Sequence, residues 1–195
     1  LLIEPIPALA ELLRRHRINS TVCQCACSSL DKTGGVEFYI ADDTDGMPCD
    51  LDTTFGGASG LKKNVDDYST EYSRTILVEC VTLSQLLERN SIETIDLLII
   101  DTEGTELDVL KGAFLEKCKP RLILLEDKFY SLEKHFYLKK RGYKLWKHFN
   151  WNSWYIPSQT SATPLSLSDR LKLFRKMYLG LPFRWVKRLF KDGRF

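Results

Sequence analysis

Two acidic side chains directly follow a short apolar run near the middle of the chain, and they could do chemistry together. Asp101 and Glu103 lie in the segment IDLLIIDTEGTELDVLKG, after the mostly apolar residues 95–100. An apolar run of this length is typical of a strand buried on both faces in a parallel sheet, and open α/β sheets bind ligands at the carboxyl ends of such strands. Gly104 would allow a ligand to approach the backbone closely. The acids could instead cap a helix that begins near Thr105, but two acids beside a glycine favour the functional interpretation.

Two further acids stand at the ends of predicted strands. Glu126 follows the apolar residues 121–125, and parallel strands ending at Asp101 and Glu126 would bring both carboxylates to one rim of a sheet. Glu126 could orient an acceptor hydroxyl or cap the next segment, and both alternatives stay open. Glu4 ends the first predicted strand, where nucleotide-binding folds use a carboxylate to accept hydrogen bonds from ribose hydroxyls. Taken alone, Glu4 could equally cap a helix.

The elements that must position these acids are predicted to be strands that alternate with helices, which indicates an α/β fold. Helices are expected after the prolines that follow Glu4, at 83–88, after Thr105, and at 132–141. The strands are predicted at 21–27, 36–40, 74–82, 95–100, 121–127, 143–148 and 154–157. The last two should form an antiparallel hairpin at one sheet edge.

The segment 95–112 resembles the signature of FkbM-type S-adenosylmethionine-dependent methyltransferases, in which a strand ends in Asp-x-Glu-Gly-x-Glu before a helix. Three more segments are similar in the same order: Glu-Pro-x-Pro at 4–7, a short strand after a Gly turn at 36–39, and Thr-Leu-x-x-Leu-Leu at 82–87. The resemblance implies a Rossmann-like class I methyltransferase sheet, mostly parallel with a C-terminal antiparallel hairpin. Nothing before Glu4 supplies the family's first strand and Gly-rich turn, so we expect the fold to be N-terminally truncated.

The resemblance also implies a function: methyl transfer from S-adenosylmethionine to a hydroxyl of a sugar or another small molecule. Its implied catalytic residues are Asp101 and Glu103, which would position the acceptor hydroxyl or act as base. The implied cofactor-binding residues are Glu4 at the ribose, Ala26 and Cys27 near the adenine, and Asp101. The predicted substrate-binding residues are Glu126, Ser59 and Trp151.

Ser59 and Trp151 are included for different reasons. Ser59 lies in the Gly-rich stretch 57–61, which could extend across the active site and hold the acceptor. Trp151 lies among amides and aromatics at 148–155, a composition that suits a sugar-like ligand but also an ordinary hydrophobic sheet edge.

Composition limits the other function classes. A net charge of +2 argues against a dedicated nucleic-acid binder, and no apolar stretch of transmembrane length or signal-peptide pattern is found. Six cysteines are present, and Cys23, Cys25 and Cys27 alternate along one predicted strand; they are better explained as buried thiols in a reducing cytoplasm than as a zinc site. The acidic region 42–52 lacks a complete EF-hand pattern, so no metal is predicted.

The C-terminal part of the chain differs in composition. We predict a methyltransferase-like α/β domain at 1–157, a polar linker at 158–168, and a helical segment at 169–195 that contains nine Lys or Arg residues and two acids. Aromatic residues among these cations are compatible with peripheral membrane contact or a partner. The segment could also pack on its own domain or on a second subunit. A catalytically inactive binding module remains the alternative to an enzyme.

Overall fold

The structure is a computed structural model that describes residues 1–41, 59–61, 72–184 and 186. The chain forms two compact units. Unit 1 contains Leu1–Glu93 and Thr102–Phe114, and unit 2 contains Thr94–Asp101 and Leu115–Phe195. The predicted division at 157 and 168 stays a prediction.

Unit 1 contains five strands and three α-helices in its described part. The strands are β1 (Leu2–Ile3), β2 (Val22–Cys23), β3 (Ala26–Cys27), β4 (Gly34–Ala41) and β5 (Tyr72–Val81), and the helices are α1 (Pro7–His16), α2 (Leu83–Arg89) and α3 (Glu106–Gly112). β1 pairs in parallel with β2, while β5 lies between β3, which is parallel to it, and β4, which is antiparallel.

Local sequence explains where the unit 1 helices begin. Pro7 occupies the first turn of α1, where its missing amide hydrogen leaves no helical bond unmade. Thr82 starts α2 with a capping box: its hydroxyl accepts from the amide of Gln85, and the Gln85 side chain accepts from the amide of Thr82. The core that these elements enclose consists of Ile6, Ala26, Phe38, Ile40, Val78 and Cys80.

One predicted strand of unit 1 is wrong in its extent. Residues 21–27 form two short strands, because β2 pairs with β1 whereas β3 pairs with β5. Cys25 and Cys27 are buried and Cys23 is partly buried, and all three are free thiols. Burial raises the pKa of the Cys25 thiol to about 12, so it is protonated and inert at neutral pH.

Unit 2 is built on a four-stranded sheet with helices around it. Its strands are β6 (Leu97–Ile100), β7 (Leu122–Glu126), β8 (Tyr143–Phe149) and β9 (Asn152–Pro157), in the order β6-β7-β9-β8. Its helices are α4 (Leu115–Cys118), α5 (Glu133–Lys140) and α6 (Leu167–Phe174), and a π-helical stretch, Arg175–Leu179, continues α6. β6 and β7 are parallel, and β9 is antiparallel to both β7 and β8. The predicted C-terminal hairpin at a sheet edge is confirmed.

Two fold predictions need correction. The sheets are not mostly parallel, because the described strands form three parallel and three antiparallel pairs in three sheets. β6 is not buried on both faces: Leu98 and Ile100 are buried, but Leu97 is 49% and Ile99 is 60% exposed. Within the described residues β6 pairs only with β7, which makes it an edge strand of its sheet.

No helix in the described part of the chain combines the length and the apolar character needed to cross a membrane.

Candidate functional site

The sheet of unit 2 brings two of the predicted site residues together. Asp101 directly follows β6, and Glu126 is the last residue of β7. The parallel register pairs Ile100 with Leu125, so the next residue on each strand leaves the sheet at the same rim. Carboxylate oxygens of Asp101 and Glu126 lie within 4.8 Å of each other. This confirms the prediction that the two acids share one rim of the sheet.

A lysine and a tryptophan lie beside this rim. The Lys128 ammonium is 3.3 Å from a carboxylate oxygen of Glu126 and 5.1 Å from the centre of the Trp151 ring. Trp151 is 61% exposed, so its indole can still receive a ligand. Lys128 therefore supplies a positive charge where two carboxylates would otherwise repel each other. The group offers hydrogen-bond acceptors, one cationic donor and a flat apolar ring to a ligand.

Neighbouring residues hold the rim in place. The backbone carbonyl of Glu126 accepts a hydrogen bond from Lys134 Nζ at 2.8 Å, and the amide of Asp127 donates to the Trp151 carbonyl at 2.5 Å. The Asp127 carboxylate is buried, accepts from the Phe129 amide at 2.9 Å and lies 3.6 Å from Lys134 Nζ. These contacts fix the end of β7 against the turn that carries Trp151.

The loop that carries Glu103 belongs to unit 1 and has an unusual backbone. Glu103 has φ +48° and Gly104 has φ +102°, both in the left-handed region. For glutamate this conformation costs free energy, and such conformations cluster at functional sites where surrounding contacts hold them.

Glu106 provides the contacts that hold this loop. It is 3% exposed, and its Oε1 accepts from the amide of Gly104 at 2.9 Å and from the amide of Thr102 at 3.3 Å. Thr105 is the N-cap residue of α3, but its hydroxyl donates a hydrogen bond to the Thr102 carbonyl and does not accept one from a helix amide. Thr105 is therefore the N-cap residue without a side-chain cap, and Glu106 fixes the loop before it.

Glu4 lies at the carboxyl end of β1, where the sequence predicts it. Its Oε1 accepts from the Ile6 amide at 2.8 Å, which fixes the carboxylate over the turn that starts α1. Burial raises the pKa of the Glu4 carboxyl, and the hydrogen bond from Ile6 opposes that rise. Within the described residues, no donor other than the Ile6 amide is found for this carboxylate.

The side chains of Ala26 and Cys27 are used by the core of unit 1. Both are buried, and Ala26 packs with Phe38 and Cys80. The adjacent Ser28 is fully buried, and its hydroxyl oxygen has no hydrogen-bond partner within the described part of the chain. Contact between the two side chains and an adenine ring stays a prediction.

Ser59 is also buried. It precedes Gly60, which forms a two-way backbone bridge with Tyr39 on β4, with nitrogen–oxygen distances of 2.9 and 3.0 Å. The other residues of the predicted substrate loop lie outside the described residues, apart from Gly60 and Leu61. Substrate binding by Ser59 stays a prediction.

Sequence reasoning missed Lys128 and the role of Glu106. Glu106 is the final acid of the Asp-x-Glu-Gly-x-Glu pattern, and its position two residues after Gly104 was the available signal. Lys128 follows two acids at a strand end, which places a cation within reach of Glu126. Asp101 and Glu126 also have the chemistry of cation ligands, so the expected absence of a metal stays a prediction.

In a comparison with protein families, residues 1–145 match the family described as the methyltransferase FkbM domain. Comparison with curated proteins gives no match, and comparison with solved structures gives none either.

Proposed function

The chain belongs to the FkbM methyltransferase family, and from this premise we propose that it is an S-adenosylmethionine-dependent enzyme that O-methylates a sugar or another small hydroxyl compound. The observation that carries the proposal is the pair of carboxylates at the ends of β6 and β7, with Asp101 and Glu126 within 4.8 Å of each other. A hydroxyl is a weak nucleophile until a neighbouring base accepts its proton, and a carboxylate can do so.

Glu4 fits the cofactor's ribose. A ribose diol offers two hydroxyl donors, and the Glu4 carboxylate has acceptor capacity beyond the single bond from Ile6. Because burial raises the pKa of this carboxyl, donors from a ligand would stabilise its ionised form. When bound, S-adenosylmethionine would supply an electrophilic methyl group.

The roles of the protein's own groups follow from the geometry of each unit. In unit 2, Asp101 would accept the proton of the acceptor hydroxyl, while Glu126 accepts a second hydrogen bond that orients it. Lys128 would lower the cost of holding two carboxylates together, and the exposed face of Trp151 would pack against the apolar face of a sugar ring. In unit 1, Glu106 positions the Glu103 backbone, and a catalytic role of Glu103 stays a prediction.

The first experiment is a calorimetric titration with S-adenosylhomocysteine. Glu4→Ala should weaken binding by roughly tenfold or more, since a hydrogen bond to a charged group is worth about 1.5 to 3 kcal/mol. Glu11→Ala is the matched control, because Glu11 is an exposed acid on α1 that pairs with Arg14 and Arg15. Equal affinity of the wild type and Glu4→Ala would remove Glu4 from the ribose site.

The second experiment measures methyl transfer to a panel of methyl glycosides. Asp101→Asn should lower turnover by roughly 10²- to 10⁴-fold, the usual contribution of a general base. Asp96→Asn makes the same isosteric change just before β6, where the Asp96 side chain is 85% exposed and pairs with Arg121. Full turnover by Asp101→Asn would rule out Asp101 as the base.

A binding module without catalysis is the second candidate, favoured by the exposed apolar side chains of Leu97 and Ile99. Since β6 pairs only with β7 within the described residues, its free edge and apolar face could accept another strand. Absence of S-adenosylhomocysteine binding by the wild type would make this candidate the leading one. The expected N-terminal truncation stays a prediction.

A further inference from the structure

The helix at the end of the described chain is attached to unit 2 by one face. Met177 is buried with Phe129 and Leu132, and Leu173 and Leu181 pack against the same cluster. Leu173 on α6 and Met177 on the π-helical stretch are four residues apart and lie on one side of the helix, and Leu181 follows just after it. The inner face of the helix is therefore already in use.

Hydrogen bonds reinforce this attachment. Lys176 Nζ donates to the carbonyl of Asn150 at 2.8 Å and lies 2.6 Å from Nε2 of His148. Arg184 donates through Nε to the Phe129 carbonyl at 3.0 Å and through its terminal nitrogen to the Lys176 carbonyl. Lys176 therefore attaches the helix to the hairpin, and Arg184 attaches it to the turn after β7.

The solvent-exposed side of the same helix carries a second apolar stripe. It consists of Leu167, Leu171, Phe174 and Tyr178, which are 72%, 56%, 52% and 39% exposed. Steps of four, three and four residues place them on one face over about 16 Å of helix. The rings of Phe174 and Tyr178 pack at 5.1 Å between their centres, so the exposed stripe is a continuous surface.

The charges on this part of the helix are mainly positive. Arg170, Lys172 and Arg175 are all exposed, and Asp169, the one acid of α6, lies 3.5 Å from Lys172 Nζ. Over residues 169–195 the sequence contains nine Lys or Arg residues and two acids. An apolar stripe between cations complements a surface that is apolar within and negatively charged outside.

A second copy of this chain is a poorer occupant. In a twofold interface the same patch meets itself, so Arg170 and Arg175 of both copies would approach each other. Like charges brought together across an apolar contact cost free energy and disfavour that partner.

We propose that the stripe Leu167–Leu171–Phe174–Tyr178, with Arg170 and Arg175 beside it, docks unit 2 on an anionic lipid bilayer surface. The helix lies in the interface plane, with its apolar stripe among the lipid chains and its cations at the headgroups. The inner face stays on the Phe129 cluster, so docking needs no rearrangement of unit 2.

The test is co-sedimentation of the full chain with phosphatidylcholine vesicles and with matched vesicles that contain phosphatidylserine. Binding should be selective for the anionic vesicles and should fall as sodium chloride is raised. Arg170→Gln/Arg175→Gln should weaken it by roughly 30-fold, about fivefold for each cation near an anionic surface. Lys139→Gln/Lys140→Gln, an exposed pair on α5, is the matched control and should have little effect.

A second variant tests the apolar stripe without changing charge. Phe174→Ala should weaken binding by roughly tenfold, because moving an aromatic side chain from water into an apolar environment strengthens binding by about that factor. Phe136→Ala on α5 is the matched control, since Phe136 has the same 52% exposure as Phe174. Thermal unfolding of each variant shows whether the fold is retained.

Three outcomes would overturn the proposal. The first is absence of vesicle binding by the wild type, and the second is equal binding to neutral and anionic vesicles. The third is a concentration-dependent dimer in light scattering that Phe174→Ala abolishes and vesicles do not displace, which would assign the stripe to a second copy. None of these outcomes depends on S-adenosylhomocysteine binding, so the test is separate from that of the proposed enzyme activity.

Discussion

Acidification from pH 7 to pH 4 should destabilise unit 2 through His148. The pKa of His148 is lowered from 6.5 to about 4, mainly by partial burial and in addition by the nearby Lys176 ammonium. The Lys176 ammonium can donate to Nε2, so the proton of the neutral ring is on Nδ1, where it meets the Ser153 hydroxyl at 2.9 Å. A second proton would place a charge in a partly buried position against an existing cation.

The sign and size of the effect follow from this pKa. Between pH 6.5 and about 4 the unfolded chain binds a proton that the folded chain does not, so stability falls as the pH falls. The difference of about 2.5 pH units, at about 1.4 kcal/mol each, sets an upper limit of about 3.5 kcal/mol, and solvent at the partly exposed ring reduces it. Burial also lowers the pKa of His135, which adds a second contribution of the same sign in unit 2.

The assay is urea unfolding of the wild type and of His148→Gln at several pH values between 4 and 7. The wild type should lose more stability on acidification than His148→Gln, because glutamine cannot take up the proton. His16→Gln is the control, since His16 is an exposed histidine on α1. The ring protons of His148 should titrate at about pH 4 in nuclear magnetic resonance spectra. A midpoint at the ordinary value of 6.5, or equal pH dependence of wild type and His148→Gln, would refute the argument.

Two further predictions concern unit 1. Gly112→Ala should destabilise the protein by about 3 kcal/mol or more, because the new Cβ would collide with the backbone oxygen of Ser28. Gly35→Ala, whose Cβ meets a side chain at an ordinary 3.6 Å, is the control in thermal unfolding. Equal melting temperatures would contradict this. Glu106→Ala should cost about 1 to 3 kcal/mol in urea unfolding, because the amides of Thr102 and Gly104 lose their charged acceptor. The exposed Glu93→Ala should be nearly neutral, and equal losses from both changes would count against the role of Glu106.

The hairpin and the helix ends could be predicted because local chemistry determines them. Gly142 closes α5 with φ +81°, a conformation that glycine adopts without steric cost. The start of α2 after Thr82 could be predicted because a threonine followed three residues later by a glutamine is a capping-box pattern. Neither feature depends on residues distant in sequence.

The carboxylate pair could also be predicted, but its surroundings could not. Asp101 and Glu126 come together because each leaves a strand of a parallel pair at the same register. The position of Trp151 depends on how β9 pairs with β7, where Glu126 lies opposite Asn152. That pairing joins residues far apart in sequence, so no local pattern indicated that Lys128 would lie between Glu126 and an exposed indole.

The wrong prediction for β6 has a clear physical origin, and it bears on Asp101. An apolar run shows that both faces of a strand are apolar, but it does not show that both are covered. Leu98 and Ile100 are covered, while Leu97 and Ile99 expose 49% and 60% of their surface. Within the described residues, the backbone before Asp101 is held by hydrogen bonds to β7 alone. A strand added at the edge of β6 that faces away from β7 would hold the backbone before Asp101 from its second side as well.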